Sequence, residues 1–171
     1  MDVISIEKTG EHFRLLYDVK GRYQAHPIEA QESNFKLLKV TQQAIGPNKV
    51  PYIVTHDART IRFQHPDIKV NDTVKYNLKT GEIEAFYKFE QGATVMISGG
   101  KNIGRVGTIS HVSKHDAQFD IVHVRDARNK TFATRSSNVF VIGQEKKAGI
   151  LLPKGKGLAY KIIEERDNRK K

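Results

Sequence analysis

Residues 98–109 read SGGKNIGRVGTI, with glycine at 99, 100, 104 and 107. Each glycine held in a regular element costs roughly 0.5–1 kcal/mol in chain entropy. A stretch so rich in glycine therefore belongs where the backbone turns sharply or approaches another group closely. Two arrangements use glycine in this way: a loop that cradles phosphate ahead of a helix, and the tight turn of a small β-barrel. The first requires G-x-x-x-x-G-K-[ST] followed by a helix whose N-terminus faces the anion. Here Gly100-Lys101 is followed by Asn102, position 95 is Val, and Arg105-Val106-Gly107-Thr108-Ile109 reads as a strand. A dinucleotide fingerprint fails too, because no strand–helix–strand unit follows. What remains is an apolar strand, Val95-Met96-Ile97, a glycine turn presenting Lys101 and Arg105, and a second apolar strand.

The rest of the chain is punctuated in the same manner. Phe13, Leu15, Tyr17 and Val19 alternate with Arg14, Leu16, Asp18 and Lys20 between turns at Thr9-Gly10 and Lys20-Gly21, the period of a strand. Residues 27–33 permit one helical turn. Strands are predicted over 35–40 and 52–55 around Gly46-Pro47-Asn48, and over 75–78 and 83–89 around Lys79-Thr80-Gly81-Glu82. Beyond Glu90-Gln91-Gly92, short strand-like runs recur at 94–97, 105–112, 119–124, 132–134 and 138–142, a spacing that suits a small barrel. The last stretch, LAYKIIEERDNRKK, is predicted as a short helix or a frayed tail. The expected fold class is mainly β: a central antiparallel β domain over 1–90, a small barrel over 91–145, and a basic C-terminal extension over 146–171.

Charge divides at the same place. Residues 1–90 carry 13 Lys and Arg against 12 Asp and Glu, whereas 91–171 carry 16 against 7, so +1 and +9 make up the net +10. Such an excess attracts a polyanion and favours release of counterions from a nucleic-acid backbone. No apolar run approaches the ~20 residues that span a bilayer, and the N-terminus lacks a signal-peptide core. A soluble, unsecreted chain without membrane partners is expected. With no Cys, disulfides and thiolate metal sites are excluded.

Catalytic constellations are missing from the sequence. His56-Asp57 has no Ser in a nucleophile elbow and no Cys beside it, so a turn or hydrogen-bonding role is expected. His111 and His115 are four apart, but the residues between them read as a strand entering a turn, and no metal is assigned. Glu82 and Glu84 alternate as solvent-facing hairpin residues do. No enzyme, cofactor or small-molecule substrate is expected.

The strand–loop–strand unit with Gly99, Gly104 and Gly107 set against Val95, Ile97 and Ile109 resembles the KOW motif of small barrels of the Src-homology-3 type. Around it, VTHDARTIR (54–62), IKVNDTV (68–74), FATRSSNVFVIG (132–143), LPKGKG (152–157) and EERD (164–167) follow in order after the opening DVISIEKTGEHFRLLYD. With these phrases the chain resembles, over essentially its whole length, the eukaryotic and archaeal family of small ribosomal subunit protein four. The resemblance implies a structural role in the cytoplasmic ribosome, with ribosomal RNA and neighbouring ribosomal proteins as partners. It also implies a helical RNA-binding region ahead of the position matching Met1. That region has no counterpart in these residues, which are read as the two C-terminal domains. The alternative is a KOW-bearing transcription-elongation or RNA-processing factor that binds RNA and protein.

Candidate RNA-binding residues follow from charge and position. Lys101, Arg105 and Lys114 flank the glycine turn and the next loop as a phosphate-contacting edge. Arg105, Arg128 and Arg135 are expected to stack on or bridge RNA strands, recognised by shape rather than base sequence. Lys146, Lys147, Lys154 and Lys156 line an extension expected to be mobile alone and ordered along RNA. Phe119, Phe132 and Phe140 lie in strand-like runs and are expected in the core, leaving few aromatics for stacking.

Overall fold

A computed structural model describes residues 1–116, 118–144, 147–153, 155 and 157–169, with only the backbone at Lys147, Asn168 and Arg169. Lys146, Lys154 and Lys156 lie outside the described residues, so the expectation of an extension ordered along RNA falls largely outside them as well. The described residues form three antiparallel sheets and one short α-helix.

The first sheet is a meander of β1 (Val3–Ile6), β2 (Glu11–Tyr17) and β3 (Tyr23–Ile28). The alternation in β2 marks a strand, but the core lies under its other face: Arg14 and Leu16 are buried, while Phe13, Leu15 and Tyr17 are only half-buried. Arg14 is fully enclosed because its planar fork finds acceptors inside. Its Nη2 donates to the carbonyls of Glu32 (3.0 Å) and Phe35 (3.2 Å), and Nε lies 3.4 Å from the Glu32 carboxylate. A period of two fixes alternation and leaves open which face is inside. The helical turn expected within 27–33 is displaced: Pro27 and Ile28 belong to β3, and a 3-10 turn forms at Glu32–Asn34.

The second sheet runs β6-β5-β4-β7-β8, from β4 (Phe35–Ile45), β5 (Pro51–Thr55), β6 (Thr60–Arg62), β7 (Thr73–Asn77) and β8 (Ile83–Tyr87). A bulge between Val40 and Gln42 lets β4 serve two partners, β5 at one end and β7 at the other. Asn48 (φ 59) and Gly81 (φ 76) close the predicted turns. Leu38, Val40, Ile53, Ile68 and Val74 fill this sheet's core.

The third sheet runs β12-β11-β10-β9-β13-β14, from β9 (Thr94–Ile97), β10 (Val106–Ser113), β11 (Ile121–Arg125), β12 (Thr131–Arg135), β13 (Val139–Gln144) and β14 (Lys147–Ala148). Its core is Val95, Ile97, Ile109, Val122, Val124, Val139 and Val141. Helix α1 (Ile162–Arg169) follows. The sheets share apolar contacts: Leu16 and Leu37 pack in one cluster with Met96, Val106, Phe140, Ile142 and Ile150.

A buried cation fastens the second sheet to the third. Lys39 of β4 is 8% exposed, and its Nζ donates to the carbonyls of Ser136 (3.2 Å), Ser137 (3.0 Å) and Val139 (2.7 Å). These three acceptors belong to the 3-10 turn Ser136–Asn138 and the start of β13, immediately after Arg135. Burial pushes the Lys39 ammonium down from 10.5 to about 8.

Between pH 8 and about 10.5 the unfolded chain holds the Lys39 proton that the folded chain has released, so stability at this residue rises with pH across that window. In denaturant unfolding, the stability of the parent chain minus that of Lys39→Met is expected to rise over that interval. A difference that stays flat contradicts the assignment. The same variant should speed hydrogen exchange at Ser136 and Val139 by about tenfold or more, as expected for losing hydrogen bonds to a charged donor.

Candidate nucleic-acid interface

Gly104 of the β9–β10 loop and Gly107 at the start of β10 make room for the chain's own backbone. Gly104, at φ +76, lies against the backbone of Asp18 in the β2–β3 turn, and any Cβ there would collide with the Asp18 carbonyl. Its N–H donates to Ile97 (2.8 Å), which holds it in that position. On the facing side, a Cβ on Gly21 would stand 3.0 Å from the Ile103 side chain. Gly107 is equally confined: a Cβ there would lie 2.5 Å from the Arg125 carbonyl. The loop is shaped to nest on the first sheet and on β11, and its lysine is left at the surface.

The arginines expected to stack on RNA stack within the chain. The Arg105 guanidinium lies 3.7 Å from the Phe132 ring centre, donates to Asn102 Oδ1 (3.0 Å) and approaches the buried Asp126 carboxylate at 3.5 Å. With 16% of its side chain exposed, Arg105 pins the glycine loop to β12 and is withdrawn from the phosphate-contacting edge. Arg128 lies 3.9 Å from the Tyr160 ring centre and pairs with Glu164 of α1 at 2.9 Å. That arginine holds the Glu164 carboxyl below its usual range. Arg135 lies over Phe119 at 4.4 Å, and this pair stays at the surface. Phe119 is 65% exposed and precedes β11, so its expected core role does not hold. Phe140 is buried and Phe132 packs against the core.

Strand register brings the remaining cations onto the outer face of the third sheet. Across β10, β11 and β12, Ser113, Ile121 and Arg135 form one row, His111, His123 and Ala133 the next, and Thr108, Arg125 and Thr131 the third. Val122 and Val124 point the other way, into the core. Lys114, just beyond Ser113, is therefore at the same end as Arg135 and Phe119. The Lys101 loop reaches the edge of β12 through Asn102, whose side chain donates to the Ala133 carbonyl at 3.4 Å. Lys101, Lys114, Arg125 and Arg135 are all exposed. The structure thus places Lys114 at the same end of this face as Arg135, sets the Lys101 loop against the edge of β12 at Ala133, and sets Arg105 and Arg128 apart from them. Arg125 and the His111–His123 pair, with ring centres 6.2 Å apart, were missed as candidates. Their signal was the alternation Ile121, His123, Arg125 against Val122, Val124.

The other singled-out residues have structural surroundings. His56 Nδ1 accepts the Lys39 N–H at 3.1 Å, and Asp57 accepts from Thr55, Lys36 (3.2 Å) and Arg59 (2.9 Å), so this pair knits the turn after β5. Those donors hold the Asp57 carboxyl down at about 2. His111 is in β10 and His115 in the loop beyond, so the two do not share a helical face. Lys147 enters as backbone of β14.

Three family models match this chain in succession: Ribosomal family S4e over residues 9–83, the KOW motif over 91–125 and the 40S ribosomal protein S4 C-terminus over 126–171. The chain is 58% identical over 170 residues to small ribosomal subunit protein eS4A of Schizosaccharomyces pombe, and 56% identical over 171 residues to protein eS4 of Candida albicans. Each alignment takes in 99% of this chain and 65% of the relative, so the chain spans about two thirds of their length. The crystal structure of the 30S ribosomal protein S4e from Thermoplasma acidophilum superposes with a TM-score of 0.73 at 29% identity, covering 88% of this chain and 74% of that one.

Two alanine variants separate close packing from loop conformation. Gly92 also has positive φ (+92), but a Cβ there would meet nothing within 4 Å. Gly92→Ala is expected to cost about 1–2 kcal/mol, the penalty of a left-handed backbone alone. Gly104→Ala adds a clash with the Asp18 backbone and should cost at least about 2 kcal/mol more, in the range of overpacked cores. Equal losses in urea unfolding would show that the close approach contributes nothing.

Proposed function

The chain belongs to the ribosomal S4e family, and from that premise we propose that it is a structural, RNA-binding constituent of the small ribosomal subunit in the cytoplasm. The observation that carries this reading is the outer face of the third sheet. Lys114 and Arg135 share one of its ends beside the exposed Phe119, the Lys101 loop borders the β12 edge at Ala133, and Arg125 extends it toward the other end. Its exposed cations contact phosphate and ribose. Among the described residues its rings are Phe119, already under Arg135, and the His111–His123 pair, with no row of Phe, Tyr or Trp for stacking, so the face recognises folded RNA by shape. Arg105 and Arg128 support it from behind, as the residues that hold the glycine loop and α1. Lys146, Lys147, Lys154 and Lys156 contribute further contacts to RNA, with neighbouring ribosomal proteins as further partners. The S4e and S4 C-terminal matches on either side of the KOW segment favour this reading over a transcription-elongation or processing factor.

The test is the salt dependence of binding to a fragment of small-subunit ribosomal RNA. Each neutralised phosphate contributes about 0.7–0.9 to the slope of log affinity against log salt, so replacing Lys101, Lys114 and Arg135 by Ala together should reduce the slope by about 2–3. Arg128→Ala, which removes a cation already paired with Glu164, should change it by less than about one. An unchanged slope in the triple variant places the RNA footprint elsewhere.

A further inference from the structure

The second sheet ends in two strands, β6 and β8, that each pair on one side only among the described residues, and both line one groove of about 700 Å³. Ile61 from β6 and Ile83 and Phe86 from β8 give it apolar walls, with the buried Ile68 between them. An exposed strand edge is a row of free N–H and C=O groups, a template for one more strand.

Two residues set this groove apart from an incidental gap. Gln64, which lines the groove, is 8% exposed, and its buried Oε1 accepts no hydrogen bond among the described residues. Phe63, beside it, is 75% exposed and held at φ 57, a left-handed conformation that is strained for a bulky residue. Its N–H donates to the Pro51 carbonyl (3.0 Å), which keeps the ring at the rim. An exposed aromatic kept in a strained backbone and a buried acceptor without a donor are both accounted for by a ligand that supplies apolar surface and an N–H.

Charge selects the class of ligand. Glu82, just ahead of β8, stands on one wall with Glu84, which is paired with Lys75 at 2.9 Å; Arg62 and His65 are on the β6 side. The Glu82 carboxylate opposes a phosphate backbone, whereas an extended polypeptide meets both walls and satisfies both edges. We propose that the groove takes an extended segment of a neighbouring protein, which adds as a strand between β6 and β8. The paired length is three to five residues, the lengths of β6 and β8. Alternate apolar side chains rest on Ile61, Ile83 and Phe86, a basic side chain faces Glu82, and one peptide N–H donates to Gln64 Oε1.

The experiment takes the full chain and overlapping synthetic peptides that tile the proteins of the small subunit. Binding is measured by fluorescence anisotropy and the footprint by hydrogen exchange. At least one peptide is expected to bind and to protect amides of both Thr60–Arg62 and Ile83–Tyr87. Phe63→Gly, which accepts the left-handed backbone and leaves the fold intact, should weaken that peptide about tenfold or more, as for one lost aromatic contact, without lowering the unfolding midpoint. The proposal is overturned if no peptide protects both edges, if Phe63→Gly binds unchanged, or if a ribosomal RNA fragment protects these amides instead. The choice of peptides rests on the ribosomal reading. RNA binding on the third sheet is measured separately, so either reading can fail alone.

Discussion

The backbone of Gly104 lies directly on the carbonyl of Asp18, and much of the architecture depends on that contact. Only a residue without a Cβ fits there, and only with the left-handed φ it adopts. The contact seats the β9–β10 loop in the turn between β2 and β3. From this position Arg105 emerges toward Phe132 and Asp126, and Gly107 can lie against the Arg125 carbonyl. The third sheet is thereby referenced to the first by backbone as well as by the side-chain packing of Leu16 with Met96 and Val106. Lys39 makes the corresponding link from the second sheet, reaching three carbonyls just past Arg135. The basic face is held from behind at both ends.

This arrangement sorts the cations of a strongly basic chain into two groups. Arg14, Lys39 and Arg105 are drawn inward, caged by carbonyls for Arg14 and Lys39 and by a carboxylate and an aromatic ring for Arg105, while Arg128, half-buried, is engaged by Glu164 and Tyr160. Burying a charge without such partners would be far too costly, so each cage is a condition of the fold. Lys101, Lys114, Arg125 and Arg135 stay in solvent, where their charge acts at a distance and exchanges counterions readily. Net charge alone does not separate these groups, because both count equally toward +10.

The strands and their turns were legible because both are local. Period-two alternation and Gly, Asn and Pro turns act over a few residues, and β9, β11 and β13 fall within a few residues of where those signals put them. The inward face of β2 was not legible, since Arg14 is buried by carbonyls of Glu32 and Phe35, some twenty residues away. The candidate site divides along the same line. Lys101 and Lys114 were readable as turn residues beside a glycine loop. The engagement of Arg105 with Phe132, and of Arg128 with Tyr160 and Glu164, depends on pairings between distant segments that no local window contains. Arg125 was visible in the alternation of IVHVR and was passed over because it lies inside a strand rather than in a loop. Phe119 was assigned inward from its apolar neighbours, whereas β11 begins only at Ile121.

The central claim is that the glycines of the KOW loop dock the chain on itself, while RNA meets the outer face of the third sheet. Titrating the isotope-labelled chain with a fragment of small-subunit ribosomal RNA and following backbone amides by NMR tests both halves together. The account predicts shifts concentrated at Lys101, Lys114, Arg125 and Arg135, with Gly104 and Gly107 almost unmoved. Shifts at Gly104 and Gly107 as large as those at the exposed cations would mean that RNA enters the glycine loop, and would contradict the account.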